Sequence, residues 1–261
     1  MILLLTSLTL LACGDDLHTV TFIDHAGNEL KTEKVEDGEH ATAPAVPTRD
    51  GYTFIGWSHS VHVVREDLTI RAIYRLDGLM DALNAWINTV HNGQNYTDTI
   101  EIYQGNAHKE TRVFKRTSNM LYTQFDFGDD SAEIYMQQSN EEFTWYERDL
   151  GKACFDIVET DQSAWNMFAV QSSRRAMIPT QVEPSWFNFD DNVLTLKEDY
   201  YTTFRNYVSA QGAFESYKIT VHEDALEIVI TFIANEVRHR HEIRIDNVNS
   251  TSLTIPTTLC E

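Results

Sequence analysis

His239 and His241 stand two positions apart in RHRHE. If that stretch is a strand, both project from one side, a spacing that metal sites use. Arg238 and Arg240 then face the opposite way, and alternating His and Arg is the pattern of a solvated strand face, so no metal is expected here. Asp129-Asp130 and Asp190-Asp191 are paired carboxylates of the kind calcium takes, but neither lies in a D-x-D-x-D-G loop, and both read as turns. The chain carries no G-x-S-x-G, P-loop, H-E-x-x-H or C-x-x-C signature. The expectation is a protein that is not an enzyme and uses no cofactor. Cys154 and Cys260 are able to pair if the chain is exported, or to remain as free thiols.

The largest set of like side chains is aromatic and apolar. Leu121, Phe125 and Phe127 fall on one face of a strand, and Phe143 and Trp145 on one face of another. Leu83, Trp86, Ile87, Trp165 and Phe168 come from two helical stretches. Together they either line an apolar cavity or form the core between a sheet and its helices.

Cys13 has a different chemistry. Ile2 to Ala12 is an apolar run too short to cross a bilayer, which takes about 20 helical residues. It fits the apolar core of a secretory signal, though no basic stretch precedes it. Leu10-Leu11-Ala12-Cys13-Gly14 resembles a bacterial lipobox, followed by the polar Asp15-Asp16. The resemblance implies that residues 1–12 are a signal peptide, that Cys13 is diacylated, and that 13–17 is an anchor segment. Two acyl chains anchor stably where one holds only marginally. Such a protein lies outside the cytoplasm, tethered to the bacterial cell membrane.

The composition agrees with a packed, water-facing chain. Of 261 residues, 42% are hydrophobic and 11% aromatic, which is globular usage. Acids outnumber bases 40 to 20, a formal net charge of −20. That sign excludes nucleic acid, whose affinity rests on Lys and Arg neutralising phosphates, and works against docking on anionic lipid heads.

Alternation and turn residues place the elements. HTVTFID and ELKTEKV read as strands about an A-G-N turn, and GYTFIGW and DLTIRAIY as two more after a Pro-punctuated loop. Strict alternation puts Tyr52, Phe54 and Gly56 on one side of GYTFIGW, and Thr53, Ile55 and Trp57 on the other. Met80, Leu83, Ile87 and Val90 recur at helical spacing in LMDALNAWINTVHNG, with Asp77 placed to cap the helix. A second helix is expected around DQSAWNMFAVQSSRRA. The other apolar stretches from YTDTIEIYQ to RHRHEIRIDNV and TSLTIP are short strands joined by polar turns, the signature of a large antiparallel sheet.

Two resemblances organise these elements. The features VTF, P-x-x-P-x-R-x-GY-x-F-x-GW and T-x-x-A-x-Y make residues 18–75 resemble the Listeria–Bacteroides repeat, the B-repeat of internalins. This implies a small β-grasp-like domain of a secreted or surface protein, with GYTFIGW as its central strand and Trp57 and Tyr52 as packing residues. An early helix before an N-Y-T strand, a strand meander, a middle helix and the closing TSLTIP make residues 78–261 resemble LolA-like lipoprotein carriers. This implies a curved, half-open antiparallel sheet or barrel with two or three helices, and a cavity for acyl chains. The fold class expected is therefore mainly β, of the α+β kind. The function expected is non-catalytic binding of an apolar ligand such as a lipid. The alternative is a surface interaction or adhesion module that engages cell wall or another protein. A filled sheet–helix interface favours that alternative, and an apolar void favours the carrier.

Overall fold

The computed structural model describes residues 17–92, 95–126, 131–172, 177–205, 208 and 212–260. The chain is mainly β and divides into two compact units, the first ending at Asp77 and the second beginning at Gly78.

The first unit is a four-stranded sheet of β1 (Leu17–Ile23), β2 (Glu29–Glu36), β3 (Tyr52–Trp57) and β4 (Leu68–Leu76). Its order is β2-β1-β4-β3, with β1 and β4 parallel and the outer pairs antiparallel. That is the β-grasp strand order. Here the two loops, rather than a helix, cover the sheet among the described residues. They bind each other's backbone, as Ala41 N donates to Val61 O at 2.8 Å and Val64 N to Glu39 O at 2.8 Å. Beneath them Val20, Phe22, Val35, Ala41, Val64 and Ile70 form the core, and Trp57 packs against it.

GYTFIGW differs from expectation in two ways. β3 is an edge strand, and the central pair is β1 and β4. It also carries a bulge between Phe54 and Gly56, where Gly56 takes φ of 152°, a value L side chains rarely adopt. The extra residue shifts the alternation. Trp57 therefore joins Phe54 on one face, with ring centroids 5.4 Å apart, and reaches Phe22 at 5.1 Å, while Ile55 is turned outward. Gly56, Phe54 and Trp57 of this block thus act together, while Gly51 makes the preceding turn with φ of 77° and Tyr52 lies beneath the Arg49 guanidinium. A bulged edge strand swings its tryptophan onto the core.

Asp77 does not cap the following helix. The N-cap position is taken by Gly78 in the left-handed region, φ 71°, and Asp77 instead accepts a hydrogen bond from Thr53 Oγ1 at 2.6 Å.

The second unit begins with α1 (Leu79–His91). A meander follows: β5 (Tyr96–Gln104), β6 (Ala107–Arg116), β7 (Met120–Asp126), β8 (Ser131–Ser139), β9 (Glu142–Asp149) and β10 (Asp156–Glu159). After α2 (Gln162–Ser172) come β11 (Phe187–Asp190), β12 (Val193–Leu196), the one-turn α3 (Tyr201–Phe204), β13 (Ala213–Val221), β14 (Leu226–Ala234) and β15 (Val237–Asp246). All eleven strands form one antiparallel sheet of order β10-β9-β8-β7-β6-β5-β15-β14-β13-β12-β11. It does not close into a barrel. Its outermost strands, β10 and β11, are four residues each, short edges that offer little template for foreign pairing.

Register lines up apolar residues across the core face. Ile219, Ile228, Ile243 and Ile100 stand side by side on β13, β14, β15 and β5, all essentially inaccessible. Leu121, Met136 and Trp145 form a second row across β7, β8 and β9. β15 against β5 joins the two meanders.

TSLTIP forms no strand. Thr251 ties its start to the sheet instead, sharing a hydrogen bond with Thr97 Oγ1 at 2.9 Å and accepting one at its carbonyl from Asn95 Nδ2 at 3.0 Å. Beyond it, Phe155 N donates to Thr258 O and Cys260 N to Phe155 O, both at 2.9 Å, and Cys154 is disulfide-bonded to Cys260. Phe155 is thereby pressed against Tyr135, 5.6 Å away between ring centroids.

Three outcomes are expected. Residues 78–261 expressed alone should unfold cooperatively, since a complete core lies within them; loss of near-UV signal would show that the units depend on one another. In the full chain, Trp57→Ala should lower only the first unit's transition, by about 3 kcal/mol, read by calorimetry. Cys260→Ser should destabilise the second unit by about 2–4 kcal/mol, read by urea melts of oxidised protein; an unchanged midpoint would show the closure contributes nothing.

Candidate functional site

Among the described residues the apolar set is not gathered around one pocket. Leu83 and Ile87 lie on the buried side of α1 with Leu79 and Val90, and α1 packs against β13. Phe143 and Trp145 on β9 meet α2 directly: Phe143 contacts Trp165 at 5.8 Å and Trp145 contacts Phe168 at 5.4 Å between centroids. Leu121 is fully buried in the same cross-strand row as Trp145, with Met136 between them. At the other end of the sheet α3 adds Phe204, 4.7 Å from Tyr217 and 5.8 Å from Phe187. The helices thus supply the side chains that cover the sheet. Phe125 stands apart, half-buried beside a depression shared with Asp126, Arg148 and Lys152. Phe127 and Cys13 lie outside the described residues, as do Asp129 and Asp130.

The other chemistry-bearing residues are absorbed by packing. His239 and His241 share a face and flank Phe232, the first stacked at 5.3 Å and the second edge-on at 5.1 Å. No group of three or more potential metal ligands occurs among the described residues. Asp191 lies in the tight turn between β11 and β12 with φ of 54°. On the face opposite the helices, Arg148 holds the Glu133 carboxylate, which accepts a hydrogen bond from Tyr122 Oη at 3.1 Å. Burial, then the Glu133 charge, push the Tyr122 hydroxyl far above its usual range, so it stays a neutral donor.

Trp86, like Phe125, is separated from the rest of the predicted set. It is half-buried on a different flank of α1 and lines a groove of about 660 Å³ with Ala82, Ala85 and Thr89. The groove's remaining wall is the β13–β14 turn, His222 to Asp224, and the end of β15, with Arg244, Asp246 and Asn247. These polar groups hold one another. His222 Nε2 lies 3.1 Å from Glu227. Arg244 donates from Nη1 to Glu227 at 2.6 Å and from Nε to Asp246 at 3.0 Å, and Asn247 Nδ2 donates to Asp246 at 2.7 Å. Burial pushes the Glu227 carboxyl up, but the bonds from His222 and Arg244 outweigh it and leave the group below its ordinary value. Sequence reasoning found Trp86 and missed this wall. Its members lie more than a hundred residues from α1, and no spacing announces them.

No curated protein matches the chain. A family model matches part of it, over β1, β2 and β3 and ending at Asp67, ahead of β4: residues 18–67 are matched by the Listeria-Bacteroides repeat domain.

Proposed function

We propose that this chain is a membrane-tethered, extracytoplasmic interaction protein with no catalytic role, held by a lipid on Cys13 and engaging cell wall or another surface component. The observation that carries the reading is the ring-to-ring filling between α2 and β9, Phe143 on Trp165 and Trp145 on Phe168. A carrier of acyl chains needs that space open, and an interaction module does not. Three features support the setting. Repeats of the matched family are typically extracellular surface modules. The Cys154–Cys260 bond suits an oxidising compartment. The lipobox-like LLACG supplies the anchor. The surface charge of −20 suits a partner met by shape and hydrogen bonding rather than an anionic lipid face.

Cys13→Ser should move the protein from the membrane fraction to the soluble one and abolish labelling by radioactive fatty acid. The released protein, fluorescently tagged, should bind isolated cell envelopes saturably. Retained label in the variant would overturn the anchor, and linear, unsaturable envelope binding would overturn the interaction role.

A further inference from the structure

We infer that the groove between α1 and the β13–β14 turn is a site for a neutral carbohydrate, with Trp86 as the platform for a sugar ring. The inference rests on the proposed interaction role and names the class of ligand for it.

Sugar recognition joins two opposed surfaces. A pyranose presents a patch of C–H groups on one face and hydroxyls around its rim. The face needs a flat apolar partner. The rim needs fixed donors and acceptors, since a flexible partner loses in ordering entropy what it gains in hydrogen bonds. The groove holds both. Trp86 supplies the flat partner, and among the described residues no other ring packs against it. Ala82 and Ala85, on the same exposed flank of α1, are too small to cover it. Apart from Val248 the rest of the lining is polar, and part of it is already ordered: Arg244 donates to Glu227 and Asp246, and Asn247 to Asp246. Arg244 and Asp246 are fixed by these bonds and retain capacity for further ones: a guanidinium has five N–H donors and a carboxylate several lone pairs. Glu223, Asp224 and Ser250 add acceptors and a hydroxyl along the same lining.

The charge pattern disfavours an anion. Glu223, Asp224 and Asp246 outnumber Arg244 along the lining, so the wall is net negative. An anion would face Glu223, Asp224 and Asp246, and a cation over Trp86 is the rival ligand. A polyhydroxylated ring uses both the donors of Arg244 and Asn247 and the acceptors of Glu223, Asp224 and Asp246, whereas a cation leaves the donors unused. The volume, about 660 Å³, lies within the roughly 300–1,000 Å³ typical of small-molecule sites.

The test uses the full-length Cys13→Ser chain and four neutral probes: cellotriose, N,N′,N″-triacetylchitotriose, maltotriose and xylotriose. Titration followed by tryptophan fluorescence and calorimetry should show saturable binding of at least one. Trp86→Ala should weaken that binding at least tenfold and Trp86→Phe by less. Ala85→Trp, which fills the groove, should abolish it, with thermal melting unchanged in all three variants. Binding that survives Trp86→Ala, or no binding of any probe, overturns the inference. Saturable binding of tetramethylammonium in place of the sugars also overturns it, in favour of a cation site. Envelope binding that persists when every sugar fails would reject the carbohydrate site and leave the interaction role standing.

Discussion

The second unit depends on a single pairing, that of β5 with β15. Each meander alone is a string of hairpins closed by local turns, and such pairings form with little loop-closure cost. Joining them brings together strands more than a hundred residues apart. What compensates is burial at the seam. Ile100 and Ile243 meet there, and Ile228 and Ile219 extend the same row into the second meander. At about 25 cal/mol per Å² of apolar surface, a fully buried isoleucine contributes roughly 1.5–3 kcal/mol. The seam also decides topology. Because it places the last strand beside the first, β10 and β11 become opposite edges, and the sheet stays open. An open sheet must cover its apolar face, and α1, α2 and α3 do so.

Two cross-ties reinforce the seam from the chain ends. Thr251 hydrogen-bonds to Thr97 on β5 just after β15 ends, which fixes the register where the meanders meet. Further on, the Cys154–Cys260 bond and the Phe155 backbone bonds fasten the C-terminal segment near β10. The closed loop includes the return through α2 and the whole second meander. Its effect on the unfolded chain therefore bears on the same long-range pairing that the isoleucines stabilise.

Much of this was legible in the sequence. Period-two alternation located the strands because each has one buried face, as in LEIVITFIA, where Leu226, Ile228, Ile230 and Phe232 are buried. Helical spacing located α1 through Leu83, Ile87 and Val90. The misreadings have physical causes. TSLTIP alternates as a strand does, but Asn95 and Thr97 bind Thr251, and the segment does not join the sheet. GYTFIGW alternates by count, but the bulge at Gly56 moves Trp57 across the strand. Asp77 is a good capping residue by type, yet Thr53 engages its carboxylate and Gly78 makes the turn. The site was legible only in part. Periodicity groups Trp86 with the apolar residues of α1, and only three-dimensional placement shows that it leaves them for a groove whose polar wall comes from the far end of the chain.

The central claim is that the sheet's apolar face is satisfied by the chain's own helices, so that binding occurs elsewhere. Native mass spectrometry of the protein extracted from its own membrane measures this directly. The account predicts the mass of the polypeptide with the proposed covalent anchor and nothing more. A stoichiometric, non-covalently bound acyl lipid, lost on mutation of Leu121 or Trp145, would contradict it.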